Sequence, residues 1–314
     1  LITGGMGGLG LAIAHWLREH GARHLVLLSR SGANTEQRKA AIAALQQSDI
    51  EVLAPTVDVT DRVAMTALFE QISQTLPPLR GIIHAAGLGG FTYIPDLCAA
   101  DLETLLDPKV AGTWNLHELS LGCDLDFFVS FSSIASVWGS VGQAHYAAAN
   151  QFLDLFAAYR RQLGLAALTI NWSAVTGAGM LTAAKAAEME QYLSRIGVGR
   201  LSLSEVTTAL ELLLATGTDQ AVVAPMDWSR FRSVYETGRR RHLLDCLGQP
   251  TPLSETEIQV EKTVLRAQIE AAPSAERFKL LRRSIQAEVG AVLGLPATNL
   301  PAIDAGFLSW EWIP

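Results

Sequence analysis

The residues Leu1-Ile2-Thr3-Gly4-Gly5-Met6-Gly7-Gly8-Leu9-Gly10 decide the fold class. The first three are typical of the end of a buried strand, and apolar residues with helical spacing follow the glycines. Glycines let a backbone approach a pyrophosphate, which the amide groups and dipole of a helix start stabilise. The stretch therefore predicts a strand, a dinucleotide-binding loop and a helix. We expect cofactor contacts from Thr3, Gly4, Gly5, Gly7, Gly8 and Leu9.

Apolar runs alternate with helical stretches along the chain beyond this loop. The predicted strands are His24–Leu28, Glu51–Val57, Gly81–Ala85, Phe127–Ser132, Ala167–Trp172 and Ala221–Pro225. This alternation predicts the α/β class, a Rossmann-like doubly wound parallel sheet with helices on both faces. Such sheets bind ligands at the carboxyl ends of their strands, so candidate site residues are those just after each strand.

The end of the second strand, Leu28-Ser29-Arg30, lies about where the ribose of a dinucleotide is bound. An acidic residue at this edge favours NAD, whereas Ser29 with Arg30 suits a 2′-phosphate. NADPH is therefore the predicted cofactor. The alternative is that Arg30 is an ordinary surface arginine.

Two more strand ends fit the same cofactor. Asp58, followed by Val59, is placed to accept a hydrogen bond from the adenine amine, although it could instead cap the next helix. Ala85, Ala86 and Gly87 are small enough for a cofactor to lie flat against them, although small residues after a buried strand often serve packing. We expect cofactor contacts at both ends.

Ser133, Tyr146 and Asn150 are candidate residues for carbonyl reduction. Tyr146 and Asn150 are four positions apart, so a helix through Tyr159 places them on one face. A carbonyl oxygen gains negative charge as hydride reaches its carbon, and serine and tyrosine can donate hydrogen bonds and then a proton to it. Tyrosine has a pKa of about 10, which a nearby ammonium lowers. Lys109 is the candidate for that ammonium, because the other lysines lie in stretches that look exposed or outside the sheet pattern.

These residues resemble the catalytic set of polyketide synthase ketoreductases, members of the short-chain dehydrogenase/reductase superfamily, over residues 1–244. Most of that superfamily has lysine four positions after the tyrosine, whereas here Asn150 stands there and the lysine lies in Asp107-Pro108-Lys109-Val110-Ala111-Gly112-Thr113. Lys109 precedes Ser133 by 24 positions and Ser133 precedes Tyr146 by 13, which agrees with the ketoreductase pattern. Taken singly, each residue also fits a purely structural role.

The resemblance implies an activity and a role for each residue. Tyr146 would donate the proton, Ser133 would be the second donor to the substrate oxygen, and Lys109 with Asn150 would orient and acidify the tyrosine. NADPH would supply hydride to the β-keto group of a polyketide intermediate bound to an acyl carrier. Other modules of the parent synthase would be the protein partners.

Stereochemical class follows from the same resemblance. Ketoreductases of one type carry Leu-Asp-Asp after the fourth strand, where this chain has Leu88-Gly89-Gly90. Trp138, eight residues before Tyr146, resembles the marker of the A-type, which forms the L-hydroxyl, although it could simply be a core or wall aromatic. Gln143 replaces the histidine of epimerising A-type members, which implies no selection for an epimerised α-substituent.

A helical stretch between Thr176 and Gly199 follows Gly177-Ala178-Gly179, where such reductases carry a mobile lid. Met180 is the residue of this stretch that we expect to touch the acyl chain. An ordinary amphipathic helix fits the stretch equally well.

Three regions are predicted: a catalytic domain over 1–245, a linker over 246–273 and the start of an acyl carrier domain over 274–314. Apolar residues from Phe278 to Leu293 resemble the first helix of a carrier domain. Carrier domains hold their phosphopantetheine serine in the sequence Gly-Met-Asp-Ser-Leu, which is missing here. A single nucleotide string can encode Phe-Glu-Leu-Gly-Met-Asp-Ser in one reading frame and the observed ending, Leu308 to Pro314, in the next reading frame. We therefore expect a frameshifted tail in which Ser309 carries no phosphopantetheine.

Composition excludes several other functions. The chain has 314 residues, 49% of them hydrophobic, and no apolar run near the roughly 18 residues of a membrane span. A formal net charge of −7 does not favour nucleic acid. Three cysteines, Cys98, Cys123 and Cys246, lack the paired spacing of a zinc site or disulfide framework. We expect them to be small buried residues and the protein to be cytoplasmic.

Two other classes of function stay open at this stage. A free-standing reductase of small carbonyls would share the same site, and a redox-inactive scaffold would share the fold. The carrier-like ending and the lack of an initiator methionine argue against the first, and the intact residue set argues against the second. The resemblance also implies an amino-terminal structural subdomain that we expect to be missing here.

Overall fold

The computed structural model describes residues 1–46, 50–177, 190–237, 241–247, 266 and 269–292. The described residues divide into two compact units. The first contains 1–177 and 200–225, and the second contains 190–199 and the described residues from 226 onward. Met180 and the whole segment 293–314, including Ser309, lie outside the described residues. The predicted domain limits and the frameshift stay predictions.

A parallel sheet of seven strands forms the centre of the first unit. The strands are β1 (Ile2–Thr3), β2 (His24–Leu28), β3 (Glu51–Leu53), β4 (Gly81–His84), β5 (Phe127–Ser133), β6 (Leu168–Trp172) and β7 (Gln220–Val223). Their order across the sheet is β3-β2-β1-β4-β5-β6-β7, and all neighbouring pairs are parallel. The order reverses between β1 and β4, where sheets of this kind bind ligands. The predicted α/β fold is confirmed.

Helices connect the strands and cover both faces of the sheet. In the first unit they are α1 (Gly8–Glu19), α2 (Glu36–Gln46), α3 (Arg62–Thr75), α4 (Ala99–Lys109), α5 (Ala111–Leu119), α6 (Ala135–Trp138), α7 (Ala144–Gln162) and α8 (Leu203–Thr216). A short 3₁₀ turn, Ile94–Asp96, precedes α4. Helices α1, α2 and α8 share one hydrophobic core with the sheet, and α3, α5 and α7 share the other. Two cores on opposite faces keep the sheet rigid beneath its ligand-binding edge.

Strand β3 is shorter than the predicted strand Glu51–Val57 and ends at Leu53. Pro55 has no amide hydrogen and cannot continue the ladder of hydrogen bonds. Beyond the proline, the Val57 amide still donates to the Ser29 carbonyl at 3.1 Å, so the chain keeps following β2. The residues after β3 therefore remain at the same edge of the sheet.

The cysteines are not buried, which corrects the expectation from composition. Cys98 and Cys246 are exposed and Cys123 is half-buried, and all three are free. Cys98 occupies the N-cap of α4, where its thiol lies 3.1 Å from a carboxylate oxygen of Asp101. A residue that caps a helix stands where the chain turns at the surface, and this outweighs the apolar character of the thiol.

The second unit contains two longer helices among its described residues, α9 (Trp228–Tyr235) and α10 (Ser274–Val292). Asp227 caps α9 by accepting from the Arg230 amide at 3.1 Å. Helix α10 begins at Ser274, directly after Pro273. None of the helices that the structure describes has both the length and the apolar character needed to cross a membrane.

Candidate active site

The glycine loop after β1 packs tightly against the neighbouring strand ends. The Gly5 amide donates to the Leu28 carbonyl at 3.0 Å, and the Gly7 amide donates to Gly4 at 2.9 Å. Gly4 has a φ of +67°, and a Cβ added there would lie 2.9 Å from the Ala85 carbonyl oxygen. Only glycine fits this position without strain. The loop therefore joins the ends of β1, β2 and β4.

The start of α1 is suited to an anion. Gly7 is its N-cap and offers no side chain to the first helical amides, while Gly8 and Leu9 lie half-buried in the first turn. Free amides and the positive helix dipole stabilise a pyrophosphate. The backbone of Gly7, Gly8 and Leu9 therefore fits the pyrophosphate of the predicted cofactor.

Thr3 has an internal role that the sequence did not predict. Its hydroxyl lies 2.6 Å from His84 Nδ1 and accepts from the Ala86 amide at 3.1 Å. His84 Nε2 in turn lies 3.0 Å from the carbonyl oxygen of Pro108. Burial, with the nearby charge of Lys109, lowers the pKa of His84 to about 3, so this imidazole is neutral at neutral pH. Thr3 and His84 thus tie β1, β4 and the end of α4 together.

The residues that follow β2 include a serine hydroxyl without a hydrogen-bond partner in the described part of the chain and an exposed arginine. Ser29 is half-buried, and its Oγ has no hydrogen-bond partner within the described part of the chain. Arg30 is exposed beside it. Arg38, which the sequence analysis missed, directs Nη1 to the Ser31 hydroxyl at 2.7 Å and to Asn34 Oδ1 at 2.9 Å. Arg38 lies eight positions after Arg30, so no local sequence pattern linked it to the loop after β2. An unpaired hydroxyl followed in the chain by an exposed arginine suits a phosphate.

Asp58 does not cap the following helix. Its Oδ1 accepts from the amide and hydroxyl of Thr60 at 2.9 and 2.8 Å, whereas Asp61 caps α3 through the Ala64 amide at 3.0 Å. Val59 is buried, and its carbonyl accepts from Asn115 Nδ2 at 2.9 Å. The alternative role of Asp58 as a helix cap is therefore wrong. Its contact with adenine stays a prediction.

Ala85, Ala86 and Gly87 follow β4 beside the catalytic candidates. A Cβ added at Gly87 would lie 3.0 Å from Lys109 Cε and 3.2 Å from its Nζ. Glycine here therefore leaves room for the lysine as well as for a ligand.

The four catalytic candidates come from three elements. Lys109 is the last residue of α4, Ser133 is the last residue of β5, and Tyr146 and Asn150 share one face of α7. The Lys109 side chain is buried and Nζ donates to the Phe131 carbonyl at 2.9 Å. Burial lowers its pKa to about 8, so it is mostly charged at neutral pH. A purely structural role of Lys109 as a solvent-exposed helix residue is therefore excluded.

The Tyr146 side chain contacts two of the other three candidates, Ser133 and Asn150. Burial raises the pKa of its half-buried phenol, and hydrogen bonding with the side chains of Ser133 and Asn150 lowers it in part. Asn150 is buried, and its Nδ2 donates to the Tyr146 carbonyl at 2.8 Å. The structure thus brings Ser133, Tyr146 and Asn150 together, with Lys109 on the adjoining end of α4. A phenol that meets a serine hydroxyl suits proton delivery to a carbonyl oxygen.

Trp138 and Gln143, the candidate substrate residues within the described part of the chain, lie just before the first residue of α7. Trp138 ends α6 and is half-buried. Gln143 Nε2 donates to the Gly90 carbonyl at 3.3 Å, and the Thr92 amide donates to Gly142 at 2.7 Å. Gln143 therefore holds the loop after β4 close to the start of α7, so the two segments form one wall.

Comparison with known proteins identifies relatives of this arrangement. The family model described as the KR domain matches residues 1–177. Polyketide synthase GfsA of Streptomyces halstedii is 36% identical over 317 residues, which cover 98% of this chain and 4% of that protein. The highly reducing polyketide synthase phiA of a fungal species is 40% identical over 63% of this chain and 8% of its own length. The chain thus spans only a small part of these curated relatives.

Solved structures show the same architecture. The structure described as "Structure of A-type Ketoreductases from Modular Polyketide Synthase" is 38% identical, with a TM-score of 0.72 over 78% of this chain and 51% of that one. "Structure of A1-type ketoreductase" is 36% identical, with a TM-score of 0.73 over 82% of this chain and 52% of that one.

Proposed function

Because this chain belongs to the KR domain family, we propose that it reduces the β-keto group of an acyl chain to a β-hydroxyl with NADPH as the hydride donor. The observation that carries the proposal is the meeting of Ser133, Asn150 and the Tyr146 phenol, with a buried lysine, Lys109, bonded to the strand that ends at Ser133. The acyl chain is a polyketide intermediate delivered on a carrier protein by other modules of the parent synthase. The free cysteines agree with a cytoplasmic setting.

The residues divide the chemistry between them. The nicotinamide, when bound, supplies hydride to the carbonyl carbon. As the carbon–oxygen π bond breaks, the oxygen takes a hydrogen bond from Ser133 and the phenolic proton of Tyr146. Lys109 and Asn150 stabilise the phenolate that remains, which then regains a proton from solvent. The ketone thus gains one hydride and one proton and becomes an alcohol.

The structure contains suitable residues for both the pyrophosphate and the 2′-phosphate of NADPH. The loop packs at Gly4 directly against the backbone of Ala85, and the uncapped amides at the start of α1 suit a pyrophosphate. The unpaired hydroxyl of Ser29 and the exposed guanidinium of Arg30 suit the 2′-phosphate that distinguishes NADPH from NADH. The other residues that we assign to the cofactor are Thr3, Gly5, Gly7, Gly8, Leu9, Asp58, Val59, Ala85, Ala86 and Gly87.

Tyr146→Phe tests the catalytic assignment. NADPH oxidation is followed with a β-ketoacyl thioester, and cofactor binding is followed by fluorescence titration. We expect turnover to fall by at least about 100-fold while NADPH binds as before, because only the proton donor is lost. Tyr159→Phe is the matched control: it removes the same hydroxyl from the same helix, at a ring that is 40% exposed outside the site. Undiminished turnover in Tyr146→Phe would overturn the mechanism, and a wild-type chain that binds NADPH without turnover would point to a scaffold.

We assign the A-type stereochemistry, with Trp138 as the directing residue. Two similar solved structures are described as A-type or A1-type ketoreductases, which supports the assignment. Gln143 donates to the Gly90 carbonyl and so joins the loop after β4 to the start of α7. Chiral analysis of the product should show the L-hydroxyl, and Trp138→Leu should give a mixture. A D-hydroxyl product from the wild-type chain would contradict the assignment.

A further inference from the structure

Two exposed aromatic residues follow β4, at the edge of the sheet where the candidate active site lies. Phe91 is 51% exposed and Tyr93 is 48% exposed, and their rings meet edge to face with centroids 5.5 Å apart. Ile94, the next residue, is 71% exposed. Single exposed apolar residues are common, but neighbouring ones that form a patch mark a binding surface. The aromatic pair, Phe91 and Tyr93, is therefore a candidate binding surface.

Close packing fixes this segment against the start of α7. The Phe91 ring covers Gly142, because a Cβ added to that glycine would lie 2.6 Å from Cζ of the ring. A Cβ added at Gly90 would lie 2.8 Å from Nε2 of the buried His145. The Thr92 amide also donates to the Gly142 carbonyl at 2.7 Å. Phe91 therefore stands between two residues that are both packed on or bonded to the start of α7.

The same end of α7 carries the proposed proton donor, Tyr146. Gly142 precedes Tyr146 by four positions, and Gln143, the N-cap of α7, lies between them. Four residues span at most about 14 Å even when fully extended, and the first turn of the helix shortens that span. An alkyl chain that extends from a ketone at the Tyr146 phenol can therefore reach the aromatic pair.

The charge of the segment restricts what it can bind. No charged side chain occurs from Ala85 to Pro95, and the next charged residues along the chain, Asp96 and Asp101, are both acidic. A phosphate or an acidic protein surface requires positive charges, which this segment does not offer. Aromatic rings instead bind hydrocarbon through apolar area and dispersion. The aromatic pair therefore suits the uncharged alkyl part of an acyl chain rather than a phosphate-bearing carrier arm.

We propose that the aromatic pair binds the alkyl part of the acyl chain, beyond the ketone, and makes this reductase selective for longer apolar β-ketoacyl thioesters. The proposal rests on the proposed function, because it names the substrate class of that same site. Phe91 is the main contact, since its ring lies over the start of α7, and Tyr93 extends the surface.

The first test compares NADPH oxidation with the acetoacetyl and β-ketooctanoyl thioesters of N-acetylcysteamine, which differ only in the length of the alkyl chain. A fully buried methylene strengthens binding by about fourfold, and a methylene on a half-exposed ring strengthens it by about twofold. We therefore expect kcat/KM of the wild-type chain to be about 15-fold higher for the longer substrate, mainly through a lower KM. Equal values for the two substrates would overturn the proposal.

Phe91→Ala removes the main contact and should lower the ratio of the two kcat/KM values to about threefold or less. Leu121→Ala is the matched control and should leave the ratio unchanged. Leu121 is 53% exposed and precedes the amino end of β5, whereas Ser133 lies at the carboxyl end of that strand. Equal losses for both substrates in Phe91→Ala would show that the ring only supports the loop, and would also overturn the proposal.

Tyr93→Ala covers the case in which Phe91→Ala does not fold, because the ring over Gly142 then stays in place. The remaining aromatic surface is smaller, so we expect the same ratio to fall by at least about twofold. The mutation is measured with the same two thioesters. An unchanged ratio in Tyr93→Ala would contradict the proposed surface.

A binding measurement separates a failure of this proposal from a failure of the proposed function. S-octanoyl-N-acetylcysteamine has no ketone to reduce, so saturation-transfer NMR follows its binding alone. We expect its terminal methyl signal to receive saturation from the wild-type chain and from Leu121→Ala, and much less from Phe91→Ala. If the wild-type chain reduces neither β-ketoacyl thioester, the proposed function fails and this measurement still decides the role of the aromatic pair. Equal saturation from the wild-type chain and Phe91→Ala would overturn that role.

Discussion

Replacing Gly4 with alanine tests how closely the glycine loop approaches the end of β4. The added Cβ would lie 2.9 Å from the carbonyl oxygen of Ala85, 3.0 Å from its carbonyl carbon and 3.1 Å from the amide nitrogen of Ala86. All three are backbone atoms, so they cannot rotate away as the end of a flexible side chain can. The loop and the strand end must therefore separate.

The expected cost has two parts. An alanine held at a φ of +67° loses about 1–2 kcal/mol to backbone strain. Forced separation of close-packed groups adds about 1–3 kcal/mol. Gly217 provides the matched control, because it has a φ of +68° and nothing lies within 4 Å of an added Cβ. Gly217→Ala therefore loses stability through backbone strain alone. The difference in the free energy of unfolding between the two variants measures the cost of the close approach at Gly4.

Urea unfolding followed by circular dichroism gives both free energies of unfolding. We expect Gly4→Ala to be less stable than Gly217→Ala by about 1–3 kcal/mol. Fluorescence titration should also show weaker NADPH binding in Gly4→Ala alone, because only that substitution moves the phosphate-binding loop. Equal stability and equal NADPH affinity in the two variants would refute the argument from close packing.

Three further predictions follow from the charges. Turnover should fall as the pH rises through about 8, because Lys109 then loses the proton that keeps it charged; a kcat profile that stays flat to pH 10 would contradict this. Arg30→Ala should weaken NADPH binding by at least about tenfold and leave NADH binding unchanged, whereas Arg23→Ala, at the opposite end of β2, should leave both unchanged in fluorescence titrations. The buried neutral His84 has a pKa lowered from 6.5 to about 3, so the unfolded chain binds its proton first and stability falls as the pH drops below 6.5. Urea unfolding at pH 6.5 and 5 should show a loss from this residue of about 2 kcal/mol, which His84→Gln removes; equal pH dependence in both proteins would exclude that role.

Local patterns were sufficient for most of the secondary structure. The runs at β2 and β4 to β6 predict strands within one residue of the observed bounds, because a buried parallel strand needs a continuous apolar stretch. The shared face of Tyr146 and Asn150 also follows from helical spacing alone. The extent of β3 was predicted too long, since the apolar pattern passes through Pro55 while the hydrogen-bond ladder cannot.

The contacts of the site depend on separations that no local pattern encodes. Lys109 and the Phe131 carbonyl are 22 positions apart, and Thr3 and His84 are 81 apart. The burial of Asp154 was also hidden, because a carboxylate on a helix is usually solvated, whereas here it is bonded to Asn171 of β6.

By itself, the sequence determined the α/β class and the glycine loop, since these depend on residue type and local spacing. It also indicated the four catalytic candidates, through residue types at spacings of 24 and 13 positions that resemble the ketoreductase pattern. Only the tertiary structure decided that β1 lies between β2 and β4, that Lys109 is buried with its charge, and that the cysteines are not. The physical reason is that strand order and burial result from how distant segments pack against one another. The pKa of a lysine or histidine follows from that packing.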